Sequence, residues 1–158
     1  MLIELGFVAN ETCPEIQLDV EVNQTKISTI GFSTELQQVS YELPDDPKEH
    51  ELKITMFGKK SWHTAINQNG ELVRDVICNL SYIRFNQIDV TDTFCAGKQE
   101  CYLHKFNNKK KEDAIDTFWG LIGCNGIITL NFSTPIFIWL LEHAGQSYDR
   151  LDIKLPTY

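Results

Sequence analysis

From Val39 to Val90 apolar and polar residues alternate with the two-residue period of a strand that buries one face and wets the other. In Val39-Ser40-Tyr41-Glu42-Leu43 the odd positions are apolar, and in Leu52-Lys53-Ile54-Thr55-Met56 the even positions are. Between them, Pro44-Asp45-Asp46-Pro47 sets a turn and stops any continuing ladder, since proline has no N–H to donate. From Arg74 to Val90 the pattern reads as a long strand with a slip of phase. Val76, Cys78, Leu80 and Tyr82 share one parity and Ile83 and Phe85 the other, which predicts a bulge or a strand bent between two sheets.

The same reading extends to both ends. Residues 1–8 read as a first strand. In the next, Ile16, Leu18, Val20 and Val22 share a face, followed by an Asn23-Gln24 turn and a β-rich stretch to Ile30, which Gly31 ends. Leu36–Leu43 and Glu49–Phe57 follow, then a polar loop from Gly58 past Trp62 to the Asn69-Gly70 turn signal. Further on, 101–106 and 126–132 are strand-like, 107–111 is a basic loop, 113–123 contains a helical turn, and 151–155 is a last strand. Ser133-Thr134-Pro135, with Gly145 beyond, predicts a short, mostly buried helix at Pro135–Ala144: hydroxyl N-cap, proline at the first turn, glycine past the end. Strands at this spacing with one late helix predict an all-β class, a β-sandwich or jelly roll with one short helix near the C-terminus, as a single domain over 1–158.

A chain of 158 residues with 42% hydrophobic content can bury a full core without staples. The net charge of −8 repels phosphate backbones and argues against nucleic acid as a partner. No apolar run reaches the roughly 18 residues of a spanning helix, so no membrane insertion is expected. The start of the chain has no basic segment and carries Glu4, so it does not read as a signal peptide. On that expectation the five cysteines, an odd number with no C-x-x-C pair, are free thiols, and the N-x-[ST] triplets at Asn10, Asn23, Asn79 and Asn131 carry no sugar.

Catalytic chemistry finds little support. There is no G-x-S-x-G elbow, and Cys78 lies among alternating strand positions as a small core residue. Cys101 and His104 fall on opposite faces of a strand, against a zinc site, and no carboxylate pair stands out for glycoside hydrolysis. Calcium would draw on aspartates near strand ends: Asp45, Asp46, Asp75, Asp89 and Asp92. Trp62 sits beside His63 in a polar loop and is the candidate contact pair, since a planar ring can stack on a sugar or anchor an interface. Trp119 and Trp139 read as core.

Asp75, Tyr82, Ile83 and Asn86, with Cys78, Leu80 and Phe85 between them, resemble the last motif of the small calcium-dependent carbohydrate-binding jelly rolls that bind xylan. Residues 51–57 resemble the strand before it, and the likeness spans residues 16–90. The family's Arg-Asn after the first Asp is Val76-Ile77 here, and its Asn-Asp after the earlier strand is Gly58-Lys59. The resemblance implies a binding module and leaves Asp75 as its possible calcium ligand; in such a module Asp75 and Asp92 are the candidate calcium residues and Trp62 and His63 the candidate sugar contacts. Residues 91–158, with Gly123-Cys124-Asn125-Gly126 and Thr134-Pro135 leading to Trp139-Leu140-Leu141, are similar to small structural proteins of marine and cyanobacterial tailed phages. That likeness implies a non-enzymatic virion protein (capsid decoration, neck or tail) in a symmetric oligomer with other virion proteins, in contact with a host surface glycan. A free calcium-dependent carbohydrate-binding module is the alternative.

Overall fold

The alternation in sequence is an alternation of burial. In Leu2–Ala9 (β1), Ile3, Leu5, Phe7 and Ala9 are buried, and in Cys13–Val22 (β2) Ile16, Leu18, Val20 and Val22 are. Thr25–Phe32 (β3), Gln37–Glu42 (β4) and Lys48–Phe57 (β5) follow. Leu52, Ile54 and Met56 of β5 point inward, as their parity requires. The computed structural model describes residues 1–44, 46–95, 102–106, 115–116 and 118–144. Asp45, Cys101, the basic segment 107–111, Gly145 and the strand expected at 151–155 lie outside the described residues.

A single 3₁₀ turn, Ser61–His63, leads into a two-stranded ribbon of Thr64–Ile66 (β6) and Leu72–Asp75 (β7). Cys78–Phe85 (β8) and Ile88–Asp89 (β9) come next, then a short helix Thr91–Cys95 (α1). Tyr102–Phe106 (β10), Ile115–Asp116 (β11), Leu121–Ile122 (β12) and Gly126–Thr134 (β13) precede a last helix, Ile136–Ala144 (α2). Among the described residues every strand pairing is antiparallel. One sheet runs β12-β8-β1-β4 with β9 on β8, and the other runs β11-β10-β13-β5-β2-β3. Their inner faces meet in one apolar cluster that includes Phe7, Phe32, Phe85 and Phe132, the all-β sandwich the alternation predicts. β13 lies inside the second sheet and β12 edges the first, so the C-terminal third completes both sheets.

β4 lies in the first sheet and β5 in the second, so the chain changes sheets between them, which is why a ladder-breaking sequence sits there. Two Asn-Gln pairs make the tight hairpins. Asn23-Gln24 (φ 50° and 67°) and Asn86-Gln87 (φ 49° and 68°) are left-handed at both positions, the backbone that two-residue hairpins favour. Each Asn also reaches a third strand. Asn23 exchanges N–H and side-chain O with Glu51 (2.9 and 3.0 Å), and Asn86 does the same with Leu2 (2.9 and 2.8 Å).

Several expectations need correction. The 74–90 segment is not one strand: it breaks at Val76-Ile77 and again at Asn86-Gln87. Its phase slip is a bulge within one sheet, since Gly6 pairs with Tyr82 and Phe7 with Leu80, leaving Ser81 over. Cys78, Leu80, Ile83 and Phe85 therefore all reach the core, while Tyr82 turns to the outer face and covers Gly6. There Gln38 Nε2 donates to the Tyr82 hydroxyl (2.7 Å), and the Arg84 guanidinium lies 4.1 Å from the ring centre. Gly31 does not end β3 but pairs with Gln17. Among the described residues, the 113–123 segment, expected to hold a helical turn, contributes β11 and β12. α2 starts at Ile136, one residue after the expected Pro135, and the Thr134 hydroxyl donates to the Asp46 carbonyl instead of capping it; nor is the helix mostly buried, since Phe137, Ile138 and Leu141 are exposed. Trp139 is buried as expected, whereas Trp119 is 65% exposed rather than core. Among the described residues no helix is long and apolar enough to cross a membrane.

Candidate functional site

The start of β2 is irregular. Cys13 pairs with Phe32 and Gln17 with Gly31, so Pro14, Glu15 and Ile16 bulge out of the ladder. Gly58 lies against this bulge at φ +89°, and a Cβ there would collide with the Glu15 carbonyl, so only glycine fits. The chain then turns through Ser61–His63 and brings His63 back to Glu15, 48 residues earlier.

His63 is 2% exposed and fully engaged. The Lys60 backbone N–H donates to Nδ1 at 2.8 Å, so the ring proton is assigned to Nε2, which donates to Glu15 Oε1 at 2.6 Å. This bond from His63 is the main cause holding the Glu15 carboxyl below its ordinary range, and hydrogen bonds from Cys13 and Trp62 add to it. Trp62 is 66% exposed, with its ring 5.6 Å from that of His63 and its carbonyl accepting from Arg74 Nη1 at 3.1 Å. Arg74 is paired through Nε and Nη2 with both carboxylate oxygens of Glu11. A solvent-facing indole thus stands on a backbone tied into a charged, hydrogen-bonded frame.

Nucleophilic chemistry does not suit this frame. Burial and the neighbouring Glu15 carboxylate push the Cys13 thiol pKa up, which disfavours the thiolate. Cys13, Glu15 and His63 also place ligand atoms within 4.8 Å of one another, the one such trio among the described residues. Their S, O and N donors suit zinc rather than calcium. A metal on Nε2 would require a proton on Nδ1, yet Nδ1 accepts from the Lys60 N–H. As folded, the trio is a hydrogen-bonded hub around Glu15.

Asp75 ends β7 next to this hub, and Val76 N–H donates to the His63 carbonyl. The Asp75 Oδ1 accepts from the Lys59 ammonium at 2.5 Å and from the Thr64 hydroxyl at 2.8 Å. The ammonium also donates to the Gly123 carbonyl at 2.6 Å. Calcium asks for about six to eight oxygens converging on the ion. Here the converging oxygens already face a cation of the chain itself, so these residues as arranged do not fit calcium. Asp92 is exposed in α1, and among the described residues neither it nor Asp75 joins a cluster of three metal-ligating groups. The structure therefore unites Trp62, His63 and Asp75, and it leaves Asp92 elsewhere as a first-turn acid.

A second concavity, of about 530 Å³, lies at the other end of the second sheet, lined by Asn23, Gln24, Lys48, Glu49, His50, Glu51 and Asn131. Six to eight strand residues separate it from the Trp62 frame, roughly 20–25 Å. Its lining residues are all polar or charged, and the His50 imidazole is the one ring among them. Sequence reasoning missed Glu15, Cys13, Lys59 and Arg74, because their roles come from contacts 12 to 64 residues apart in the chain. The one available signal was the proline just ahead of the alternating run, which marks the bulge at Pro14.

No family model and no curated protein matches the chain. Two solved structures are similar. One is vCBM60 in complex with galactobiose, at TM-score 0.48 and 12% identity, covering 83% of this chain and 99% of that one. The other is the selenomethionine form of vCBM60, described with circular permutation as a link between two families of calcium-dependent carbohydrate binding modules. It has TM-score 0.45 and 12% identity, and covers 82% and 88%. The sandwich assignment rests on the two sheets and their shared core.

Proposed function

We propose that this chain is a non-catalytic binding module whose contact surface is the Trp62 frame, and that its ligand is a glycan. The observation that carries this reading is an indole that is 66% exposed, stands against the ring of buried His63, and has its backbone carbonyl held by Arg74. A flat ring on a backbone that is already held loses less freedom when a sugar face stacks on it, and the flanking Glu11, Glu15 and Arg74 supply acceptors and donors for hydroxyls. The experiment is a glycan array followed by calorimetry on the full chain. Trp62→Ala is expected to weaken binding by about tenfold or more while leaving Tm unchanged. Binding that persists undiminished in Trp62→Ala, or an array that retains nothing, defeats the reading.

A second reading is favoured by α2. Its exposed face carries Phe137, Ile138 and Leu141, spaced so that they form one apolar stripe. Such a stripe suits packing against another protein chain, in keeping with a virion component made in the host cytoplasm and joined to other virion subunits. The two readings are compatible, since the stripe and the Trp62 frame use different residues.

A further inference from the structure

We propose that Lys59 is a built-in cation: its ammonium fills the oxygen-lined position between Asp75 and Gly123 that would otherwise attract a divalent metal ion, and makes this site independent of calcium. Lysine is among the residues least often buried unless paired, yet the Lys59 side chain is only 10% exposed. Its ammonium donates to the Asp75 carboxylate and the Gly123 carbonyl. Its main chain is fixed as well, because Lys59 N–H donates to Asn125 Oδ1 and Asn125 Nδ2 donates to the Lys59 carbonyl, both at 3.0 Å. The aspartate is equally fixed: Thr64 donates to its Oδ1, and Asn10 Nδ2 donates to its backbone carbonyl at 2.7 Å. One positive charge thus ties together three separate segments: the one after β5, the end of β7, and the link from β12 to β13. These ties are what a bound ion commonly supplies at a loop junction. A covalently attached ammonium cannot be chelated away or exchanged. The inference is independent of what Trp62 contacts.

The test follows thermal unfolding of the full chain, stripped with EDTA and then given millimolar calcium. The expected result is no calcium-dependent shift in the natural protein. Lys59→Met keeps the aliphatic stem and removes the charge, leaving Asp75 without its cation. Its Tm is expected to fall by about 5 °C and to rise again with calcium, and adding Asp75→Asn to that variant should abolish the rescue. A natural protein that calcium stabilises, with the effect lost in Asp75→Asn, overturns the proposal. So does a folded Lys59→Met that ignores calcium, which would make the pair an ordinary ion pair. If Lys59→Met does not fold, calorimetric titration of the natural chain against Asp75→Asn decides: calcium binding that requires Asp75 overturns the proposal, and its absence upholds it.

Discussion

His50 is buried between the sheets, and every polar atom of its ring is used. Nδ1 lies 3.0 Å from Asn23 Nδ2 and Nε2 lies 3.0 Å from Thr134 Oγ1. The amide can only donate, and the Thr134 hydroxyl is already directed at the Asp46 carbonyl, so His50 accepts at Nδ1 and donates from Nε2. Burial, with the nearby Lys48 charge, holds its pKa below the ordinary 6.5. In the unfolded chain the ring takes a proton near that ordinary value, while the folded ring resists. The unfolded state then binds more protons, so this contribution to stability is complete above about pH 6.5 and is lost as pH falls toward the depressed folded value. The pH dependence of urea unfolding between pH 7 and 5 is expected to flatten in His50→Gln relative to the natural chain, and equal slopes would dismiss the assignment. At this scale the sequence was a partial guide. Trp62 could be read as lying outside the core because polar neighbours surround it. Trp119 was misread because Phe118 and Leu121 beside it are apolar, yet Leu121 is exposed too and only Phe118 turns inward.

Among elements, legibility followed burial. β2 and β5 were readable because their inner faces meet a core, which imposes period two on the sequence. The β6–β7 ribbon was not, because Ile66, Leu72 and Val73 are all exposed and no buried face shapes the pattern. α1 was missed because five residues are too few to show a helical period. The two Asn-Gln turns show how a short signal gains strength from a third strand. Asn86→Ala is expected to destabilise the fold by about 2 kcal/mol, combining left-handed strain with the lost bond to Leu2 N–H. Asn86→Gly should recover the strain part and leave a deficit of about 1 kcal/mol. Denaturant titration of the two variants separates these contributions, and equal losses would mean that the backbone conformation contributes nothing.

For the whole molecule, two features pull in opposite directions. A net charge of −8 keeps copies apart in solution, while the exposed stripe of α2, with Leu141 78% exposed, favours association. If that stripe is an assembly surface, sedimentation at rising salt should show association in the natural chain that Leu141→Glu removes without lowering Tm. A chain that stays monomeric at every salt concentration would count against assembly through α2.

The bulge in β8 has a consequence for the length of the chain. Ser81 is exposed and has no partner on β1, while the residues on either side of it keep their places opposite Phe7 and Gly6. Removing it would join Leu80 directly to Tyr82 and produce perfect alternation, with Leu80, Ile83 and Phe85 inward and Tyr82 and Arg84 outward. Deletions inside a sandwich strand ordinarily invert every side chain beyond the cut. Here one codon could be lost with all faces preserved, so a Ser81 deletion should stay folded within about 2 kcal/mol of the natural chain. Deleting Thr55 from the unbroken middle of β5 should not yield folded protein. Relatives of this chain, where they differ in length within the two sheets, are expected to differ at this position first.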